Sequence, residues 1–216
     1  MRKNKKNSKK SLIKTVINEH VMNNLKEYII VTVLFLIGII LGVIFINNTT
    51  QEQAQEISNY LNNFLIELKN NYSINRVELL KQSITENIIL SIMLWFVGST
   101  VVGIPIVYAI ISFRGFCLGY SIASSIATMG IKNGIIFNIS TMLFQNIIFV
   151  PAILALGVSG IKLYKSIVKD KRKETIKLEI YRHTIFSTIM AILLIISSFI
   201  EVYISSYLLV IFIKYI

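Results

Sequence analysis

Gly115-Phe-Cys-Leu-Gly119-Tyr-Ser-Ile-Ala123-Ser-Ser-Ile-Ala127-Thr-Met-Gly130 carries no charge and sets Gly115, Gly119, Ala123 and Ala127 four residues apart. As helix, 115–130 covers about 24 Å, short of a hydrocarbon core about 30 Å thick. Its role depends on what surrounds it. The chain has 216 residues, 54% of them hydrophobic, with a mean hydropathy of +0.67, more apolar surface than a soluble domain tolerates. The apolar residues fall in blocks at 28–46, 88–113, 135–160 and 184–213, and each is long enough to cross a bilayer as helix.

The net charge of +11 would suggest nucleic acid in a soluble protein. Its distribution points instead to a membrane, with lipid as the partner and no role for nucleic acid. Residues 1–27 hold eight Lys/Arg against two Glu, and 161–183 hold eight against three acids. Residues 47–87 hold only Lys69, Arg76 and Lys81 against five Glu. The positive-inside rule places 1–27 and 161–183 in the cytoplasm and 47–87 outside. With Arg114 closing block 88–113 on the inner side, the chain must regain the outer face before 135–160 can enter. Only 115–130 is available to do so. The expected fold is an all-α, polytopic helical bundle of five spans at 28–46, 88–113, 115–130 (short and Gly-rich), 135–160 and 184–213, N-terminus in and C-terminus out.

The first apolar run is followed by Phe45-Ile-Asn-Asn48, with no small-residue cleavage site, and reads as a retained signal anchor. Before it, Leu12, Ile13, Val16, Ile17, Val21 and Leu25 recur at helical spacing beside Lys10 and Lys14. This fits a helix lying on an anionic inner leaflet, or else a plain topology signal. In the outer segment, Ile57, Leu61, Phe64, Leu65 and Leu68 form one face of an amphipathic helix. A break at Asn70-Asn-Tyr-Ser73 and a resumption at Val77, Leu80 and Ile84 suggest a helical hairpin. Its apolar face must meet the bundle, the membrane or a partner protein.

Catalytic chemistry is not in view. Gly98-Ser-Thr-Val-Val-Gly103 has phosphate-loop glycine spacing, but Ile104-Pro105 replaces the Lys-Ser/Thr that would hold phosphate and magnesium. There is no His-Glu-x-x-His and no Gly-x-Ser-x-Gly, and His20 and His183 read as solvated or interfacial. The lone Cys117 forms no internal disulfide. No catalytic residue, metal or cofactor is expected.

Polar groups within the apolar blocks are the remaining candidates, because charge in lipid costs several kcal/mol. They are Glu201, together with Gln145 and Asn146, while Pro105 and Pro151 mark expected kinks. The stripe Gly115, Gly119, Ala123, Ala127, continued by Gly130 and Gly134, and the pair Gly38 and Gly42, have the spacing that lets helices approach closely in lipid. Whether the helix meeting the stripe belongs to this chain or to another copy in a homo-oligomer stays open.

The sequence resembles the stage II sporulation protein M family of endospore-forming bacteria. Glu19-His20, Tyr28 and Leu36-Ile-Gly38-Ile-Ile-Leu-Gly42 are similar to its entry into the first span, Phe113-Arg-Gly115-Phe-Cys-Leu-Gly119-Tyr120 with Gly130 and Gly134 to its glycine-rich centre, and Gln145-Asn146-Ile-Ile-Phe-Val-Pro151-Ala152 with Gly157 and Gly160 to its last block. Phe144 stands where the family pattern has a proline. The resemblance implies a bacterial cell-membrane protein of the septal, engulfing mother-cell membrane. It further implies a noncatalytic scaffold that assembles and localises the peptidoglycan-degrading stage II sporulation proteins D and P during engulfment. The residues alone also permit a small transporter or channel subunit.

Overall fold

The computed structural model describes residues 21–71, 75–100, 103–169 and 173–215. All of its regular structure is helical: α1 (Leu25–Asn47), α2 (Gln51–Asn71), α3 (Arg76–Gly98), α4 (Gly103–Asn138), α5 (Phe144–Lys169), α6 (Lys173–Ile200) and α7 (Ser206–Tyr215). A π-helical turn at Ile139–Leu143 joins α4 to α5, and another at Glu201–Ser205 joins α6 to α7. Asn75 caps α3, its Oδ1 accepting from the Glu78 amide at 3.2 Å.

Among the described residues, three stretches are long and apolar enough to cross a membrane: Leu25–Asn47, Gly103–Val168 and Ile176–Lys214. The middle one runs to 66 residues, about 100 Å if straight. It is not straight. Gly130 has φ 80° and ψ 165°, a conformation open essentially to glycine alone, and the chain doubles back there. Past the reversal Gly134 faces Ile126, where a Cβ would come within 2.6 Å of the Ile126 Cα. Asn138 closes the hairpin through a 2.7 Å bond to Ser125 Oγ.

Side-chain contacts set the direction of each long segment. Gly38 abuts Ser112 and Gly42 abuts Phe116, so α1 and the first arm of α4 run parallel. On α3, Ser83, Asn87 and Trp95 meet Glu201, Ser198 and Thr184 in descending order, so α3 opposes α6. At one end of α5 Gln145 meets Glu201 and at the other Ser159 meets His183, so it too opposes α6. Segments α1, α3, 103–129, 131–169 and 173–215 therefore alternate in direction. The core between them is apolar, built from Val31 and Phe35, Leu90 and Leu94, Val107 and Ile111, Leu156, Val158 and Ile161, and Leu194. Ile29, Val33, Leu36, Ile40 and Ile44 of α1 point outward, as on a lipid-facing surface.

Several element boundaries depart from the sequence reading. Block 88–113 is not one helix: it breaks between Gly98 and Gly103, so 88–98 ends α3 and 103–113 opens α4. Residues 115–130 are not a separate helix but continue that arm, and Arg114 lies mid-helix. The helices expected within 47–87 are present as α2 and the start of α3, and 76–87 is continuous with 88–98 in α3. Pro105 sits in the first turn of α4, where its missing N–H has no partner to lose, and bends nothing. Helix α5 continues through Pro151, and the departures from α-helix are the two π turns and Gly130. The interfacial helix expected in the basic N-terminal segment falls mostly outside the described residues.

Candidate functional site

The small-residue stripe finds its partner within the chain. A Cβ on Gly38 would collide with the Ser112 carbonyl oxygen, and one on Gly42 would lie 2.6 Å from the Tyr120 nitrogen. Reciprocally, Gly115 lies against the Phe35 carbonyl and Gly119 against that of Ile39. Two Gly-xxx-Gly pairs thus face each other and bring the backbones of α1 and α4 into contact. Phe45 and Phe116 flank the crossing edge to face, 5.7 Å between centroids. Beyond Gly119 the stripe loses this partner: Ala123 is half-buried, Ala127 and Gly130 are exposed, and Gly134 packs at the hairpin. Gly98 and Gly160 make a second close approach, between α3 and α5, with no Gly-xxx-Gly spacing to mark it.

Glu201, Gln145 and Ser83 form one cluster. The carboxylate Oε2 of Glu201 accepts from Ser83 Oγ at 2.5 Å and from Gln145 Nε2 at 2.8 Å. Glu201 opens a π turn, closed by the Ser206 amide donating to the Glu201 carbonyl, and Gln145 follows the other π turn by two residues. Such π turns inside helices are frequent at functional sites. Below them Asn87, itself buried, donates to Ser198 Oγ at 2.7 Å and to the Leu194 carbonyl at 3.1 Å. Asn146 is not in this network: its amide donates to the Met142 carbonyl of its own helix.

A cleft of about 240 Å³ opens beside the cluster, lined by Glu201, Ser83, Gln145, Glu86 and Arg114 among others. Arg114 lies 5.8 Å from the Phe149 ring centroid and makes no ion pair among the described residues. Gln82 donates to Glu86 at 3.1 Å on the exposed face of α3. Ser83, Glu86 and Asn87 were not singled out from sequence, and Arg114 was read only as the inner boundary of a span. A usable signal existed, since Ser83, Asn87, Ser91, Leu94 and Gly98 recur at helical spacing and all are buried.

His183 is buried, contrary to a solvated role. Ser159 Oγ lies 2.8 Å from its Nδ1 and the Trp95 carbonyl lies 3.4 Å from its Nε2, so the ring ties α3, α5 and α6 together. No group of three His, Cys, Asp or Glu among the described residues is placed to hold a metal.

The amphipathic face of α2 docks on its own bundle. Leu65 and Leu68 pack, half-buried, against Phe137, Leu209, Phe212 and Ile213. Ile57 and Leu61 are half-buried, and Phe64 stays exposed.

Apolar helices of crossing length, backbone contact through facing glycines and polar groups gathered inside the bundle define a helical membrane protein. The chain belongs to the Stage II sporulation protein M family, whose model matches residues 31–206. Neither the curated proteins nor the solved structures contain a significant match. Family membership makes this a membrane protein associated with sporulation.

Proposed function

We propose that the protein is a noncatalytic scaffold that crosses the cell membrane five times, N-terminus in and C-terminus out, and gathers peptidoglycan hydrolases at the septal membrane during engulfment. The alternating direction of α1, α3, 103–129, 131–169 and 173–215 supports five crossings. Basic residues in 1–27 and 161–183 support the orientation. The reading rests chiefly on α2, which Leu65 and Leu68 hold on the end of the bundle opposite the basic loops, leaving Tyr60 and Phe64 exposed at 74% and 37%. One turn apart on a held helix, these rings suit an anchored hydrolase in the wall space, and stage II sporulation proteins D and P are the proposed partners.

The test is capture of those hydrolases from solubilised sporulating membranes by the full chain carrying Tyr60→Ser and Phe64→Ser. Capture should fall several-fold, and undiminished capture would sink the docking surface. Deleting 51–87 would be a poorer test, because it also removes Ser83 from the interior. The polar cleft favours a second reading, a small transporter or channel subunit. Ion or solute flux in proteoliposomes that Glu201→Gln abolishes would replace the scaffold with that reading.

A further inference from the structure

The polar cleft lies at membrane depth. The crossing stretch Leu25–Asn47 is centred near Leu36, and Gly38 abuts Ser112 and Phe116. Arg114, midway between those two residues, therefore sits near the middle of the bilayer. Ser83, Gln145 and Glu201 line the same cleft as Arg114, which carries the cleft to that depth. On α3, Glu78, Lys81, Gln82, Thr85 and Glu86 are exposed along one side, whereas 88–98 is mostly apolar. A polar face thus runs from the outer end of α3 to mid-depth and stops there. Exposed carboxylate and amide groups cannot face lipid tails without a polar occupant.

The charges in the cleft say what the occupant is. Arg114, with no ion pair among the described residues, presents a guanidinium to an oxyanion. Glu201 spends only Oε2 on Ser83 and Gln145, leaving Oε1 to accept a further donor, and Glu86 places a second carboxylate in the same wall. One cation and two carboxylates fit a molecule with both an oxyanion and a primary ammonium. A volume of about 240 Å³ lies below the range of roughly 300–1,000 Å³ that takes a drug-sized ligand, so the occupant is a small polar group.

We propose that this cleft binds an ammonium–oxyanion zwitterion of the aminoethyl phosphate type, with the oxyanion on Arg114 and the ammonium on Glu201 and Glu86. The same chemistry is offered by an aminophospholipid headgroup entering from the side and by a free solute entering from the wall space. Neither source depends on the scaffold reading, only on α1 and α4 lying in the membrane.

The experiment uses the full chain in nanodiscs and in lipid-free detergent. Retention of phosphatidylethanolamine, phosphatidylcholine and phosphatidylglycerol is read by native mass spectrometry, and stabilisation by soluble phosphoethanolamine is read by thermal unfolding. Phosphatidylethanolamine should be retained about tenfold more tightly than the other two, the scale of one charge-assisted hydrogen bond. Phosphatidylcholine carries no N–H and phosphatidylglycerol no amine. Arg114→Gln should weaken every phospholipid, whereas Glu201→Gln should remove only the preference for the amine. Preferential lipid retention without an effect of soluble phosphoethanolamine assigns the headgroup as source, and stabilisation by the soluble compound without lipid preference assigns the free solute. Equal retention of all three lipids together with no effect of phosphoethanolamine overturns the site. So does wild-type behaviour in both variants. Should either variant fail to fold, competition between phosphoethanolamine and lipid on the unsubstituted chain carries the test.

Discussion

Gly38 is a residue whose role depends on the absence of an atom. A methyl there meets the Ser112 carbonyl, part of a helix backbone that cannot yield as a flexible side chain would. Gly38→Ala should destabilise the bundle by about 1–3 kcal/mol through overpacking, and Gly38→Leu should separate α1 from α4. Thermal unfolding in detergent, with a cysteine cross-link between the two helices as readout, checks this. Wild-type unfolding of Gly38→Leu would mean that the close approach contributes nothing. Asn87 illustrates the opposite case, a group present because it bonds across the bundle. Asn87→Ala leaves Ser198 and the Leu194 carbonyl without that donor and should cost about 1 kcal/mol in the same assay. Both glycine pairs were legible as packing positions from spacing alone, but their mutual pairing was not. Spacing along one helix carries no information about which helix it meets.

At the scale of elements, α2 is amphipathic enough to read from sequence, yet sequence could not say what its apolar face touches. The bundle supplies the answer, because Phe137, Leu209, Phe212 and Ile213 form an apolar patch at the same end. Leu65→Asp with Leu68→Asp should free α2 and bring limited proteolysis at 51–71 forward by at least about tenfold, corresponding to a loss near 1.4 kcal/mol. Unchanged cleavage would show that α2 is held otherwise. The break after Gly98 was missed because Ile88 to Phe113 is an uninterrupted apolar run apart from a few small polar residues. Hydropathy registers the solvent a segment prefers and not whether the backbone turns within it. Likewise Pro105 suggested a kink where it only opens a helix, and the two π turns have no reliable sequence signal.

For the whole molecule, topology is the direct check. Reporters fused after Thr100 should read cytoplasmic, and those after Ile131 and Ile216 should read extracytoplasmic; a cytoplasmic reading at Ile131 would mean that 103–129 does not cross. The glutamate cluster ties α3, α5 and the α6–α7 junction together, and the Glu27–Lys165 ion pair at 2.6 Å fastens α1 to α5 at the basic end. That exposed pair contributes little, about 0–1 kcal/mol, so the bundle depends on packing. Composition and charge asymmetry by themselves determined that this is a membrane protein of several helices, because bilayer thickness and the leaflet bias of lysine and arginine act on local sequence. Motif spacing pointed to its family. Only the tertiary structure decided that 115–130 continues a helix begun at Gly103, that its glycines meet Gly38 and Gly42, and that Arg114 and Glu201 share one cleft. Those facts depend on contacts between residues far apart in the chain, which the turns of the backbone after Gly98 and at Gly130 bring together.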